Sequence, residues 1–139
     1  MNSLPFRISG VYGDFAELAG IARLDDDGAF VLEFQITDGL VGVFKSELQE
    51  VRIRMADLEE VTFKRGLFSC ALTLRVRRME LLASIPGSGE GEIRLRCKRR
   101  HWKVAQELAS SLNMRLVGHQ LKDINDSILR SNQLPPSAP

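Results

Sequence analysis

The feature that most limits the fold of this chain is an alternation of apolar and polar residues between positions 20 and 98. A β-strand turns successive side chains to opposite faces, so alternation predicts half-buried strands of an antiparallel sheet with one face in water. Four segments alternate clearly: 30–36, 51–55, 72–77 and 93–98. Weaker strands are expected at 20–24, 60–64 and 80–85. The sequence therefore predicts about seven strands.

Beyond residue 98 the period becomes helical. Apolar residues recur at spacings of three and four: Trp102, Ala105, Ala109, Leu112 and Leu116. This spacing predicts one amphipathic helix from Arg100 to about Leu112. A second, shorter amphipathic helix is expected at residues 117–130. Residues 131–139 contain three prolines and are expected to be a disordered tail.

A length of 139 residues fits one domain. Strands followed by a helix exclude a doubly wound fold, which needs helices between its strands. We place the domain at residues 20–116, after an N-terminal extension of residues 1–19. Cys70 and Cys97 lack the CxxC spacing of a zinc or redox site, so they are interpreted as two reduced core thiols. With neither a secretory signal nor a membrane-spanning run in the sequence, we expect a cytoplasmic protein.

From Gly20 to Leu116 the chain resembles the bacterial pleckstrin-homology-like (PH-like) domains. The resemblance rests on the strand-only body, on residues 51–61 followed by 64–66, and on residues 92–96 leading into the helix. It implies a mainly β (α+β) fold, a partly open barrel of two nearly orthogonal antiparallel sheets capped by a C-terminal helix. Lipid-binding members of this class hold inositol phosphates with basic residues in the first hairpin. We assign that hairpin to residues 25–28, whose three carboxylates would repel a headgroup.

The net charge of +1 hides a polarised distribution. Residues 1–50 hold 3 basic and 9 acidic residues, a net of −6, whereas residues 51–139 hold 16 and 9, a net of +7. Alternation and the helix start predict one basic surface, a candidate site for an anion or an acidic partner: Arg75, Arg77, Arg94, Arg96, Lys98, Arg99, Arg100 and Lys103. The alternative is a solvated face whose arginines pair with Glu33, Glu59 or Glu60.

Two apolar groups form a candidate interface. The first lies in a segment between strands, where a loop is normally polar: Leu40, Val41, Val43 and Phe44. The second is the stripe on the shorter predicted helix: Leu121, Ile124 and Ile128. Each group either packs on its own barrel or contacts another molecule.

No group of residues carries a catalytic or metal-binding pattern. His101 and His119 lack ligands or a nucleophile at a suitable spacing, and the acidic run at residues 25–28 lacks the other ligands of a calcium loop. We therefore expect neither an enzyme nor a bound metal or cofactor, and the near-zero net charge argues against nucleic acid.

The sequence favours a non-enzymatic binding or assembly module that acts through protein contacts and forms a homo-oligomer. The alternative is a peripheral module that binds anionic phospholipid at the membrane through the basic strand face and the helix N-terminus.

Overall fold

The computed structural model describes residues 3–11, 16–38, 47–85 and 91–133. These residues form seven strands followed by one long helix. The elements are β1 (Leu4–Val11), β2 (Ala16–Leu24), β3 (Phe30–Asp38), β4 (Gln49–Ile53), β5 (Leu58–Arg65), β6 (Ser69–Val76), β7 (Glu92–Lys98) and α1 (Trp102–Gln133). Short 3-10 helices lie at Met55–Asp57, Met79–Leu82 and Arg99–His101.

The strands form one antiparallel sheet in the order β4-β3-β2-β1-β7-β6-β5. The central strand, β1, pairs with β2 along most of its length, and among the described residues its register with β7 is given by the pair Arg7 and Arg96. Within the described residues, β4 and β5 do not pair with each other, so the sheet is not closed. The predicted class, a mainly β, partly open barrel with a C-terminal helix, is confirmed.

The core lies between the sheet and the first half of α1. Alternation holds throughout β7, where Ile93, Leu95 and Cys97 are buried and the residues between them are exposed. The helix packs mainly on β5 and β6. It contributes five buried residues: Ala105, Leu108, Ala109, Leu112 and Leu116. Burying such apolar side chains stabilises the fold by about 1.5–3 kcal/mol for each Leu.

Two strand predictions differ from the structure. The expected N-terminal extension contains β1, whose short alternation of Leu4, Phe6 and Ile8 is interrupted by Pro5, a residue that weakens a strand pattern. The predicted strand at 80–85 is wrong, because this segment begins in the 3-10 helix Met79–Leu82. Its buried residues, Leu82 and Ile85, are three positions apart, which suits a helical turn better than a strand.

The two predicted helices are one. α1 continues through Gly118 to Gln133, because a single glycine costs a helix only about 1 kcal/mol relative to alanine and does not end it. The first three residues of the expected tail are thus helical, and residues 134–139 lie outside the described part of the chain. No helix in the described ranges has a stretch long and apolar enough to cross a bilayer.

The prediction of reduced thiols is also wrong. Cys70 of β6 and Cys97 of β7 are direct partners in the strand register, with their Cα atoms 5.3 Å apart, and they are joined by a disulfide. Both residues are buried. Sequence spacing could not reveal the pair, because only the register brings residues 27 positions apart into contact.

Candidate functional site

The predicted basic residues divide into four groups, and the first is neutralised. Arg75 lies on the outer face of β6 between Glu60 of β5 and Glu92 of β7. Its Nη2 donates to Glu92 Oε2 at 2.9 Å, and its Nη1 lies 3.8 Å from Glu60 Oε2. The hydrogen bond to Glu92, followed by the charges of Glu92 and Glu60, raises the pKa of Arg75 above its ordinary value. Arg75 therefore belongs to a paired, solvated face.

The second group is exposed but offers no well-formed site. Arg77 lies in the turn after β6, and Arg94 lies on the outer face of β7 opposite Thr73. Neither side chain forms a salt bridge with a carboxylate of the described residues. Arg94 borders a shallow depression of about 350 Å³ that also contains Glu60 and Glu92. Its mixed charge makes this depression a poor place for an anion.

The third group lines a cleft beside β1 and β7, called the β1–β7 cleft. This space has a volume of about 450 Å³. Its lining includes the predicted residues Arg96, Lys98 and Arg100. Arg7, which the sequence analysis did not select, and His101 complete the basic lining.

The charge of this cleft is strongly positive. Among the described residues that line it, Glu17 is the one carboxylate, and Glu17 Oε2 lies 3.6 Å from Arg7 Nη1. Within the described chain, Arg96, Lys98 and Arg100 have no carboxylate at salt-bridge distance. Several cations without carboxylate partners around one cleft would attract an anion.

The remaining predicted cations surround the tip of the β5–β6 hairpin. Arg99 Nη1 donates to the backbone oxygen of Leu67 at 2.8 Å, and Lys103 Nζ lies 5.7 Å from the centre of the Trp102 ring. Arg65 stacks over the same ring at 4.3 Å. The segment that begins α1 is therefore tied to the hairpin by the hydrogen bond from the Arg99 side chain and by the cation–π contact of Arg65 with Trp102.

The hairpin tip contains two exposed apolar residues that sequence reasoning missed. Leu67 is 78% exposed and Phe68 is 91% exposed. The available signal was an apolar pair directly after Gly66, where a hairpin turn normally carries polar residues.

The predicted stripe on the C-terminal half of α1 does not pack on its own barrel. Leu121, Ile124 and Ile128 are 61%, 57% and 52% exposed, and the same face continues upstream through Met114 and Val117. These residues therefore lie on an exposed face of the helix in the described chain, and their contact with another molecule stays a prediction. The other predicted group, Leu40, Val41, Val43 and Phe44, lies outside the described residues.

The acidic turn at residues 25–28 joins β2 to β3, so it is the second hairpin rather than the first. Two of its three carboxylates are held by arginines: Asp25 contacts Arg23 and Arg52, and Arg52 also contacts Asp27. The hydrogen bond from Arg52 lowers the pKa of Asp25, and a backbone hydrogen bond from Asp26 adds to this shift. Gly28 has a φ of +87°, a conformation that favours glycine. The turn is a paired structural feature.

The described residues contain no cluster of three or more His, Cys, Asp or Glu side chains that could hold a metal ion. No protein family, curated protein or solved structure compared with this chain matches it.

Proposed function

We propose that this chain is a non-enzymatic assembly module, built on a PH-like domain, that self-associates through α1. The carrying observation is the apolar face of Met114, Val117, Leu121, Ile124 and Ile128, called the seam below. A strand-only body followed by one C-terminal helix is what the resemblance to PH-like domains requires, and it supports that part of the proposal.

The spacing of the seam is that of a coiled coil. Its members follow one another at intervals of three, four, three and four residues, the pattern in which a helix presents alternate knobs to a partner helix. The residues of α1 that pack on the barrel, such as Leu112 and Leu116, lie on roughly the opposite side of the helix at 100° per residue. The seam therefore points away from the barrel, where a second helix can approach it.

The residues that flank the seam favour a second copy of the same chain as the partner. In the heptad that places Leu121 at position a, the flanking e and g positions carry no charge. They are Asn113, Gly118, Gln120, Asn125, Ser127 and Asn132. The charged residues of this region, such as Lys122, Asp123 and Asp126, fall on the outer positions. Two identical helices can thus pair without like charges meeting beside the seam.

The area of the seam is also sufficient. Given its exposed fractions, it presents roughly 500 Å² of apolar surface, which is within the about 300–600 Å² of the largest apolar patch on a typical monomer, a patch that is often functional. Two copies would bury about 1,000 Å², the lower range for a specific interface, before their polar flanks are counted. After Leu116 none of the residues of α1 whose burial is described is buried, so pairing would give this half of the helix a packed face.

Sedimentation velocity of the full chain between about 1 and 100 µM tests the proposal. We expect a concentration-dependent dimer or higher oligomer that becomes a monomer in Leu121→Arg, because two cations would meet in the seam. The matched control is Leu129→Arg, since Leu129 is 49% exposed on the same helix but lies off the seam. A wild-type chain that stays monomeric throughout, or equal loss of association in both variants, would overturn the proposal.

A further inference from the structure

The β5–β6 hairpin tip presents its apolar pair at the end of a tight turn. The Gly66 N–H donates to the backbone oxygen of Ser69 at 2.8 Å, which closes the turn and leaves Leu67 and Phe68 at its outermost point. Their exposure, 78% and 91%, exceeds that of every seam residue. An apolar pair at a protruding tip can be buried without moving the barrel.

The tip is held in place. Arg99 fixes the backbone of Leu67 through its 2.8 Å hydrogen bond, and the disulfide between β6 and β7 lies at the base of the same turn, one residue from Ser69. Two side chains presented by such a fixed turn lose less conformational freedom on binding than they would on a loose loop.

Cations surround this apolar pair. Lys64 and Arg65 end β5, Lys98 ends β7, and Arg99 and Arg100 follow immediately. Phe68 itself lines the β1–β7 cleft together with Arg96, Lys98 and Arg100. The same end of the molecule therefore combines a protruding apolar pair with a basic cleft whose described lining contains a single carboxylate, Glu17.

We propose that this end of the barrel docks on the surface of an anionic lipid bilayer. Leu67 and Phe68 enter the boundary between headgroups and acyl chains, where apolar side chains gain most from leaving water. Arg96, Lys98 and Arg100 contact lipid phosphates, and Arg99 and Lys103 add to the attraction of the negative surface. Two of the three carboxylates of the β2–β3 turn, Asp25 and Asp27, are already held by arginines, and this turn joins two other strands.

A bilayer suits these residues better than a nucleic acid does. Single-stranded nucleic acid binds to several exposed aromatic rings in a row, whereas Trp102 is half-buried under Arg65 and only Phe68 is freely exposed at this end. The leucine beside that phenylalanine adds apolar surface that can be buried in a bilayer, but it has no ring on which a base could stack. This inference goes beyond self-association and does not depend on it.

The test is co-sedimentation of the full chain with vesicles of phosphatidylcholine alone or with about 30% phosphatidylglycerol. We expect binding only to the anionic vesicles, with a partition coefficient that falls about tenfold or more between 0.05 and 0.5 M salt, because exposed charges are screened. Phe68→Ser should lower this coefficient by at least about tenfold, because a serine cannot gain from burial in the acyl boundary.

Met79→Ser is the matched control. Met79 is 61% exposed and precedes β7 in the chain, whereas the tip lies beside the end of β7. This substitution should leave vesicle binding unchanged. Arg96→Gln combined with Lys98→Gln should weaken binding and reduce its salt dependence, since two phosphate contacts are removed.

Several results would contradict membrane docking. They are absence of binding to anionic vesicles at low salt, equal loss in Phe68→Ser and Met79→Ser, full displacement of the chain from vesicles by millimolar inorganic phosphate, and preferential binding of a single-stranded RNA oligonucleotide. The monomeric variant Leu121→Arg separates this test from self-association, because it should still bind anionic vesicles through one hairpin tip. Phe68→Ser should in turn keep the wild-type mass in sedimentation.

Discussion

Truncation of Ile124 to alanine measures how much one seam position contributes to self-association. Full burial of an isoleucine side chain is worth about 1.5–3 kcal/mol. Ile124 is 57% exposed in the isolated chain, so covering this exposed part in a pair of helices is worth about 1–1.5 kcal/mol. A symmetric dimer contains the residue twice, which gives a loss of roughly 2–3 kcal/mol and a rise in Kd of about 30- to 150-fold.

The assay is a dilution series of the full chain in sedimentation velocity, analysed for Kd. Alanine is a better helix former than isoleucine, so a weaker dimer could not be attributed to a melted helix. Leu129→Ala removes a similarly exposed side chain from the same helix but lies off the seam, and its Kd should stay within about threefold of the wild type. If Leu129→Ala weakened association as much as Ile124→Ala, the heptad geometry would be refuted and only a general apolar effect would remain.

Three further predictions concern the barrel. Gly20→Ala should strongly destabilise the fold in urea unfolding, because a Cβ there would collide with the Glu33 backbone oxygen and come within 2.8 Å of the Phe34 Cβ. Gly118→Ala is the contrasting substitution. A Cβ at Gly118 would have no atom within 4 Å, so alanine should stabilise α1 by up to about 1 kcal/mol. Reducing the β6–β7 disulfide should lower the free energy of unfolding by about 3–4 kcal/mol, given a separation of 27 residues, and an unchanged urea midpoint with reductant would contradict a structural role. Folding lowers the pKa of Asp25 below its ordinary value of 3.8. Its pairing with arginine therefore stabilises the fold above pH 3.8, and this stabilisation is lost as the pH falls through the folded pKa. The urea midpoint should drop on acidification, and it should drop less in an Arg52→Gln variant.

The sequence was sufficient for the strands whose two faces differ most. In β7 every second residue is apolar. This pattern excludes any other register of the strand in the sheet, because a slip by one position would expose Ile93 and Leu95. β1 was missed because Pro5 interrupts its short alternation. The segment at 80–85 was mistaken for a strand because its short apolar run suits either a strand or a helical turn, and only packing against the barrel selects one.

The candidate site could be predicted only in part, because contacts between strands that are distant in sequence determine it. Alternation placed Arg75, Arg94 and Arg96 correctly on the outer face, but it could not show that Arg75 has a glutamate on each side, since these partners come from neighbouring strands. The β1–β7 cleft depends on a strand absent from the prediction. The stripe on α1 was recognised from its spacing, but its distance from the barrel follows from the straight continuation of the helix past Leu116.

The length of α1 gives the two proposed surfaces a fixed separation. The start of the helix is tied to the hairpin tip through Arg99, while the seam occupies its far half, which extends roughly 25 Å at 1.5 Å per residue. A parallel pair of helices would direct both hairpin tips toward one bilayer, so that the second tip would bind at high effective concentration. An antiparallel pair would direct them in opposite directions and make the dimer a tether between two membranes. Because the flanks of the seam carry no charge, the direction of pairing depends on how the apolar side chains interlock. That packing decides whether a dimer binds one membrane with both hairpin tips or connects two membranes.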